Sequence, residues 1–329
     1  MNSNLIERHY DLHVSTLQLL DKHFETEIYT AQTNIGKFLV KVMPLFYQNV
    51  DSEGKIAAHL SQHGLKVARF LPNREGNYVT KCAKNQFTLQ EFVEGKTLAL
   101  NSAPEWFMEK AADYLGKTTV ALRDFGSLPL SFGKNFFAPG NALQKKQQYV
   151  VEQESANASL APLYTEQIHH LERIASFHID TDRLTYANSH GDFHIGQIIV
   201  QDQDITVVDW ASACRLPICL DIATCYAFAS PHCSTGAVDT EGLCRFIRTY
   251  TKHAPLTPYD IQALPYVMYF WYCICNYSPT ELASIAENDH LSNNYQPIAM
   301  LIQRLLRWLS VHVEELSEKL MDAFSKADG

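Results

Sequence analysis

The sequence lacks the features that mark several large classes of protein. Its 329 residues carry a formal net charge of −9, and no block of five residues is strongly basic. A nucleic-acid-binding protein would normally present a basic face. The longest apolar stretch, "ALPYVMYFWYCIC" at 263–275, is too short to span a bilayer and contains Pro265. These absences argue against nucleic acid and membrane as partners.

Metal-binding cysteine pairs and a secretion signal are also missing. The eight cysteines include no CxxC pair, and the closest two, Cys273 and Cys275, are separated by one residue. Structural zinc sites usually take paired ligands about two to four residues apart, so buried free thiols are the better prediction. The N-terminus, "MNSNLIERHYDLH", has no apolar signal region. We therefore expect a cytoplasmic protein without disulfides. The sequence does not specify its oligomeric state.

The first ninety-odd residues are rich in short runs of branched and aromatic residues, which predict strands. These runs lie at 15–24, 26–33, 37–43, 66–70, 77–82 and 87–93. The second and third are joined by "NIG", a hairpin-turn signal. Helical spacing of apolar residues predicts one helix over 52–63, which Ser52 can cap and Gly64 ends.

After Gly95 the spacing of apolar residues changes and becomes typical of helices. Helices are predicted at 104–123, 141–156, 162–178, 220–229, 240–253, 258–277 and 295–323. The exception is a hairpin, 197–201 and 205–209, which flanks the polar turn "DQD". The sequence thus predicts an α+β fold of two lobes. A small strand-rich N-terminal lobe occupies 1–94, and a larger, mainly helical lobe occupies 95–329.

The stretch "SHGDFHIGQIIV" at 189–200 concentrates polar side chains just ahead of a β-branched strand. A carboxylate held there, Asp192, can accept a proton from a hydroxyl group. Gln197 offers an amide oxygen, a hard ligand suited to Mg²⁺. Asp209 ends the second strand of the predicted hairpin, so it should face Gln197 across the end of the ladder. This arrangement predicts a magnesium site of the kind that phosphoryl transfer uses.

"HGDFHIGQ" and "VVDWASACRLPICLDIAT" resemble the catalytic loop and metal-binding segment of the aminoglycoside phosphotransferase/choline kinase family. That family is a small-molecule branch of the protein-kinase-like fold. The resemblance implies a bilobal, ATP- and Mg²⁺-dependent phosphotransferase acting on the hydroxyl of an aminoglycoside-, choline- or homoserine-like acceptor. It assigns Asp192 as catalytic base and Gln197 and Asp209 as metal ligands. The helical lobe after residue 230 would hold the acceptor.

The same resemblance implies a nucleotide site in the N-terminal lobe. In "FLVKV", Lys41 would contact the α- and β-phosphates, and Glu53 would be its ion-pair partner. The adenine edge would meet backbone groups of the "QEFVEG" hinge at Glu91, Phe92 and Val93.

Three further residues take supporting roles by the same resemblance. His190 and His194 would hold the loop through hydrogen bonds. Asp221 would support the catalytic loop without touching substrate.

The pattern departs from the family at two places. Gln197 stands where the family usually has asparagine, although maltokinases look similar in carrying glutamine there. The loop expected to cover the phosphates, "KHFETE" at 22–27, has no glycine and contains Glu25 and Glu27. Two alternatives therefore stay open, a sugar kinase of maltokinase type and a nucleotide-binding protein without catalysis.

Two features argue against a protein kinase. Only eleven residues separate Asp209 from Asp221, which is too few for a recognisable activation segment. The letters "RDFG" at 123–126 match a protein-kinase metal motif, but they precede the catalytic loop. That order predicts the end of a helix at Gly126 instead.

Overall fold

The computed structural model describes residues 1–23, 25–47, 50–130, 139–156, 161–275 and 289–325. The helices there are α1 (Ser3–His9), α2 (Val50–Gln62), α3 (Glu105–Ala121), α4 (Pro139–Ala156), α5 (Ala161–Ala175), α6 (Ile218–Ala229), α7 (Thr240–Thr251), α8 (Pro258–Ile274) and α9 (Asp289–Ser325). The strands are β1 (Val14–His23), β2 (Thr26–Thr33), β3 (Gly36–Pro44), β4 (Phe70–Leu71), β5 (Thr80–Cys82), β6 (Asn85–Glu91), β7 (Lys96–Thr97), β8 (Tyr186–Ser189), β9 (Ile198–Gln201), β10 (Asp204–Val207) and β11 (Cys214–Pro217). Within the described ranges, no helix is long and apolar enough to cross a membrane.

The described chain forms two compact units, and the first is rich in strands. It comprises Met1–Thr97, Asp124–Gly126 and Gln197–Ala213. Its main sheet is antiparallel in the order β1-β2-β3-β6-β4, and β5 also pairs with β6. Strand β3 is hydrogen-bonded to β2 on one side and to β6 on the other, so its side chains are held from both directions.

The hydrophobic core of this unit decides which face of β3 is available for chemistry. The core consists of Ile6, Tyr10, Leu12, Val14, Ala31, Val40, Val42, Phe87 and Leu89. Because side chains alternate along a strand, Val40 and Val42 place Lys41 on the opposite face of the sheet. Helix α1, which the sequence did not predict, contributes Ile6 to this core, and Tyr10, the residue after the helix, also belongs to it.

Most predicted strands of the first unit are confirmed. Strands β2 and β3 meet at the predicted turn, where Gly36 takes a φ of +139° that favours glycine. Phe24, the last residue of the first predicted strand, lies outside the described residues. The predicted cap of α2 is wrong, because the helix begins at Val50 and Ser52 lies inside its first turn. Gly64 ends the helix as predicted, with a φ of +77°.

The predicted hairpin is confirmed as β9 and β10, which pair antiparallel from Asp204↔Gln201 to Val207↔Ile198. Strand β9 also pairs with β7, at Lys96↔Val200. The close approach requires Gly95, where an added Cβ would lie 2.5 Å from the carbonyl oxygen of Val200. The hairpin therefore lies in the first compact unit, whereas the predicted boundary between residues 94 and 95 assigned it to the second lobe.

The second unit is mainly helical and comprises Leu98–Arg123, Ser127–Gly196 and Cys214–Gly329. Helix α6 is buried along its whole length, and α8 packs against α9, α6 and α5. This packing explains the aromatic run in α8 as core. Residues 276 and 277 of the predicted helix 258–277 lie outside the described residues. Seven of the eight cysteines are buried free thiols, and Cys82 is half-buried.

Two local features of this part of the chain refine the sequence prediction. Strands β8 and β11 form a two-stranded antiparallel ladder that was not predicted. The "RDFG" letters fall where α3 gives way to a 3₁₀ turn at Leu122–Asp124. Gly126 follows with a φ of +95°, so the segment is a helix end, as predicted.

Candidate functional site

Lys41 lies between two carboxylates on the face of β3 that is opposite the core. Its ammonium nitrogen Nζ is 2.8 Å from Oδ1 of Asp209 and 4.0 Å from Oε2 of Glu53. Only 19% of the Lys41 side chain is exposed. Strand pairing fixes the backbone of Lys41, which lies between its partners Ile28 on β2 and Thr88 on β6. The three predicted residues Lys41, Glu53 and Asp209 are therefore brought together.

Glu53 is the buried member of this group. Its side chain is 1% exposed, in the first turn of α2, and neither carboxylate oxygen has a hydrogen-bond partner within the described residues. Burial raises the pKa of Glu53, against the opposing effect of Lys41. Burial alone would lower the pKa of Lys41, but Glu53 and Asp209 more than offset it, and the net shift is upward. Lys41 is therefore a permanent cation at neutral pH.

Asp209 stands just beyond the end of β10 in an uncommon backbone conformation. Its φ of +59° and ψ of +66° lie in the left-handed region, which aspartate tolerates better than most residues. The side chain is 42% exposed. The N–H of Val208 donates to the carbonyl of Gln197 at 3.0 Å, so the ladder extends to this pair at the open end of the hairpin.

A cavity of about 210 Å³ opens beside Lys41 within the first unit. It is lined by Ile28, Leu39, Lys41, Ala68, Gln90, Glu91, Val93, Gln197, Ile199, Val208 and Asp209. Most of these side chains are aliphatic, and the polar ones include all three predicted phosphate- and metal-contacting residues of this unit. An apolar cleft with a few placed polar groups is the usual form of a small-molecule site.

The hinge residues divide into two groups. Glu91 and Val93 line the cavity, whereas Phe92 does not. The N–H of Phe92 donates to the carbonyl of Lys37 at 3.1 Å, and its ring lies 3.4 Å from the Lys37 ammonium. The side chain of Glu91 is paired with Arg69 at 3.0 Å. Glu91 and Val93 are thus the predicted hinge residues that are placed to meet a ligand in the cavity.

Strands β1 and β2 are paired as far as His23↔Thr26, on either side of the glycine-free segment. Lys22 pairs with Glu27 across the strands, and their side chains form an ion pair of 3.2 Å. Hydrogen bonds from Tyr29 and Lys22 lower the pKa of Glu27. This carboxylate is therefore charged and already has a cationic partner, which weakens the repulsion that it would exert on a phosphate.

The donors at the hairpin end fit a hard divalent cation. Asp209 supplies a half-exposed carboxylate and Gln197 supplies an amide oxygen, the oxygen ligands that Mg²⁺ prefers. Among the described residues, no cluster of three or more histidine, cysteine, aspartate or glutamate side chains could hold a metal. A metal at this position would therefore take most of its ligands from water or from the phosphates of a nucleotide.

The predicted catalytic loop belongs to the second unit, where it follows β8. The side chain of Asp192 is 36% exposed, and its Oδ2 lies 3.5 Å from Nε2 of His194. The N–H of Gly196 donates to Nδ1 of His194 at 3.0 Å. A Cβ at Gly196 would lie 2.8 Å from the same ring, so only glycine lets His194 take this position.

Asp221 holds the loop through hydrogen bonds. It is buried on α6, and its Oδ2 accepts hydrogen bonds from Oγ of Ser189 at 2.5 Å and from the N–H of Gly191 at 3.1 Å. The backbone of Phe193 also hydrogen-bonds to it. Burial raises the pKa of Asp221, whereas these donors oppose the rise. The predicted supporting contact of Asp221 is confirmed.

Two aromatic rings of the loop itself are buried and pack against each other. His190 is fully buried and packs edge-on against Phe193, with ring centres 5.9 Å apart. Phe193 in turn stacks on Tyr114 of α3. The sequence reasoning did not single out Ser189, Gly191 or Phe193. Their position inside the "SHGDF" stretch was the only available signal.

The comparisons with known proteins agree with this geometry. The phosphotransferase enzyme family (APH) matches residues 16–256 of the chain. No curated protein sequence matches the chain significantly. Similar solved structures include a microcompartment-associated aminopropanol kinase, with 16% identity and a TM-score of 0.66 over 96% of this chain and 98% of the other.

Two further structures share the fold at similar distance. Amicoumacin kinase, in complex with AMP-PNP, Ca²⁺ and Ami, has 13% identity and a TM-score of 0.64 over 96% of this chain and 94% of the other. Spectinomycin phosphotransferase, in complex with ADP and spectinomycin, has 13% identity and a TM-score of 0.61 over 96% and 97%. The chain has the protein-kinase-like α+β fold, and it belongs to the phosphotransferase enzyme family.

Proposed function

We propose that this enzyme transfers the γ-phosphoryl group of ATP to a hydroxyl group of a small molecule. The acceptor oxygen forms a bond to the γ-phosphorus, the bond from that phosphorus to the β–γ bridging oxygen breaks, and ADP leaves. The observation that carries the proposal is Lys41, held between Glu53 and Asp209 beside an aliphatic cavity. Phosphoryl transfer depends mainly on positioning and on neutralising charge, and this arrangement supplies both.

The nucleotide would occupy the cavity of the first unit. Its aliphatic lining suits the faces of a purine base, and backbone groups of Glu91 and Val93 suit its polar edge. Lys41 would contact the α- and β-phosphates, and Glu53 would hold the ammonium in place. Phe92 was predicted with the hinge, and its part is to fix the hinge to Lys37 through its own N–H.

Asp209 and Gln197 would hold the metal. Bound Mg²⁺ would neutralise the charge that develops on the transferred phosphoryl group. Asp209 contributes a full negative charge at a half-exposed position, and Gln197 contributes a neutral oxygen one residue before β9.

Asp192 would orient the acceptor hydroxyl and accept its proton. A catalytic base needs a fixed position more than a high basicity, because the geometry of attack limits the reaction. The fixed position follows from the loop, which Asp221 holds through Ser189 and Gly191. The exposed fraction of Asp192, 36%, leaves the carboxylate accessible to a ligand.

The acceptor is proposed to be an amine-bearing alcohol of the aminoglycoside, choline or homoserine type. The net charge of −9 favours cationic ligands in a general way. One structural neighbour is an aminopropanol kinase, and aminopropanol carries both an amine and an alcohol.

The test is ADP release from Mg-ATP across a panel of acceptors, with Asp192→Asn as the background. The panel contains aminoglycosides, choline, ethanolamine, aminopropanol, homoserine, thiamine, maltose and simple sugars. An acceptor-dependent signal that disappears in Asp192→Asn supports both the reaction and the role of the base. The mass of the product, one phosphoryl group heavier than the acceptor, confirms the transfer.

A binding measurement separates this reaction from nucleotide binding without catalysis. Calorimetric titration with ATP is made with and without Mg²⁺, for the wild type and for Asp209→Ala. The proposal expects Mg²⁺-dependent binding that the substitution abolishes. Binding that is indifferent to the metal would favour the non-catalytic alternative.

A further inference from the structure

Tyr78 lies directly on the turn of α2 that carries Glu53. Gly54, the residue after Glu53, is buried, and a Cβ added to it would lie 2.3 Å from Cγ and 2.6 Å from Cβ of Tyr78. No real side chain fits in that space, so only glycine allows the tyrosine ring to approach the helix backbone this closely. The contact therefore sets the distance between the first turn of α2 and the Tyr78 ring.

The loop that presents Tyr78 is itself pinned. Asn73 is buried, and its Oδ1 accepts hydrogen bonds from the N–H groups of Glu75 and Asn77, both at 3.0 Å. Its Nδ2 donates to Oγ1 of Thr80 at 3.1 Å. The Tyr78 ring also meets Phe70 edge-on, with centres 6.4 Å apart. The position of the tyrosine is thus fixed by contacts that do not involve α2.

Arg74 ties the same loop to the N-terminal helix. Its N–H donates to the carbonyl of His9 at 2.9 Å, and its guanidinium donates to the carbonyl of Arg8 at 3.1 Å. The guanidinium also contacts the carboxylate of Asp11 at 2.8 Å. Because α1 contributes Ile6 to the core, the loop is tied to a helix that packs on the core of the unit. A continuous set of contacts therefore runs from α1 through the loop to α2.

We propose that Tyr78 is a positioning residue for nucleotide binding, which acts by seating Gly54 so that Glu53 stays within reach of Lys41. The inference rests on the proposed function. Glu53 lies 4.0 Å from the ammonium, already at the outer limit of an ion pair, whereas Asp209 lies at 2.8 Å. A shift of α2 away from β3 leaves Lys41 bound to Asp209 alone. Lys41 is then misplaced for the phosphates, and its partner is the carboxylate that the metal needs.

The experiment measures the Kd for Mg-ATP by calorimetry in three single variants. Tyr78→Ala removes the ring and is expected to weaken binding about tenfold, as small displacements of a positioning group commonly do. Tyr78→Phe keeps the ring and is expected to bind like the wild type. Phe125→Ala is the matched control, because Phe125 packs against His59, further along α2 than Glu53. It is expected to change the Kd less than twofold.

A double-mutant cycle distinguishes positioning from general loosening of the unit. If Tyr78 acts through Glu53, then Tyr78→Ala should weaken Mg-ATP binding little further in a Glu53→Gln background. Additive losses of affinity in the double variant would overturn the inference, because they would show that the tyrosine acts independently of the ion pair.

Gly54→Ala provides a second variant if Tyr78→Ala does not fold. Alanine is a better helix former than glycine, so helix propensity alone predicts a variant at least as stable and active as the wild type. The proposal predicts the opposite for binding, since the new methyl group must push α2 and Tyr78 apart. Wild-type affinity in Gly54→Ala would overturn it.

The outcomes also separate this inference from the proposed function. Failure of the wild type to bind Mg-ATP would remove both. Mg²⁺-dependent binding by the wild type that is unchanged in Tyr78→Ala and in Gly54→Ala would leave the proposed function standing and remove only the role of Tyr78.

Discussion

Lys41 donates a hydrogen bond of 2.8 Å to Asp209, while its other carboxylate neighbour, Glu53, lies at 4.0 Å. The two carboxylates differ in environment, since Asp209 is 42% exposed and Glu53 is 1% exposed. The exposed carboxylate can exchange the ammonium for another cation, whereas the buried one depends on Lys41. If Asp209 holds a metal, as proposed, its hydrogen bond to Lys41 would be lost and the ammonium would be available to phosphates.

The first prediction concerns stability when Lys41 is replaced. Lys41→Met removes the cation that favours the charged form of Glu53, so the buried carboxyl must either stay charged without a partner or take up a proton, and breaking a buried pair in this way costs about 3 kcal/mol. We expect the free energy of unfolding in urea to fall by about that amount. In Lys41→Met/Glu53→Gln the uncompensated charge is also gone, so part of the stability should return.

The matched control for this prediction is Lys37→Met on the same strand. Lys37 is 39% exposed, pairs with Glu94 at 3.8 Å, and lies 3.4 Å from the centre of the Phe92 ring. An exposed ion pair contributes less than about 1 kcal/mol and an exposed cation–π contact about as much, so this variant should lose clearly less stability than Lys41→Met. A double variant at Lys41 and Glu53 that is no more stable than Lys41→Met alone would contradict the proposed coupling.

The second prediction is a pH dependence of stability that Glu53 causes. Burial raises the pKa of Glu53 from its ordinary 4.5 to about 7. Between these values the folded state binds more protons than the unfolded state, so stability falls as the pH rises. In Glu53→Gln this contribution is absent. The stability of the variant relative to the wild type should therefore rise by about 3 kcal/mol as the pH rises through this window.

The measurement is urea unfolding of both proteins at a series of pH values. The difference between the two curves isolates Glu53 together with the groups coupled to it, because distant titrating groups contribute equally to each. A difference that is flat with pH would show that Glu53 is ionised throughout. In that case the ion pair with Lys41 outweighs the burial of the carboxylate.

The third prediction compares two buried aspartates of the second unit. Asp221→Asn disturbs the hydrogen bonds that Ser189 and Gly191 donate, and it should destabilise the protein by about 2 kcal/mol. Because these donors belong to the catalytic loop, kcat should fall more than about tenfold. The Kd for Mg-ATP should change little, since the nucleotide contacts proposed above belong to the first unit.

Asp260→Asn is the control for Asp221. Asp260 is equally buried and accepts hydrogen bonds from Thr185 and Thr257, away from the loop. It should lose comparable stability and keep its turnover per folded molecule. Equal losses of kcat in the two variants would mean that loop support is not specific to Asp221.

The sequence predicted those parts of the site that depend on local pattern. Strands β2 and β3 and the turn between them follow from two branched runs and the letters "NIG". The hairpin that carries Gln197 and Asp209 follows from two branched runs and a polar turn. The family resemblance supplied the roles, which the spacing of these residues alone does not contain.

The parts that were missed depend on contacts between distant residues. Strands β8 and β11 are four residues each, and their pairing joins segments that no local signal connects. The contact between Gly54 and Tyr78 depends on a loop that is hydrogen-bonded to α1 through Arg74. The wrong cap at Ser52 has a similar cause, because where a helix begins also depends on the preceding chain and its packing.

The last prediction concerns the glutamine that replaces the usual asparagine. If the amide oxygen of Gln197 is a metal ligand, Gln197→Ala should raise the Mg²⁺ concentration needed for half-maximal nucleotide binding by about tenfold. Gln197→Asn keeps the ligand atom but shortens its reach by one methylene, so an intermediate value is expected. Gln201→Ala is the control, because Gln201 is an exposed glutamine at the other end of β9 and should leave the titration unchanged. A wild-type requirement for Mg²⁺ in Gln197→Ala would mean that the metal is held by Asp209 and phosphate oxygens alone, with the glutamine in a plain hydrogen-bonding role.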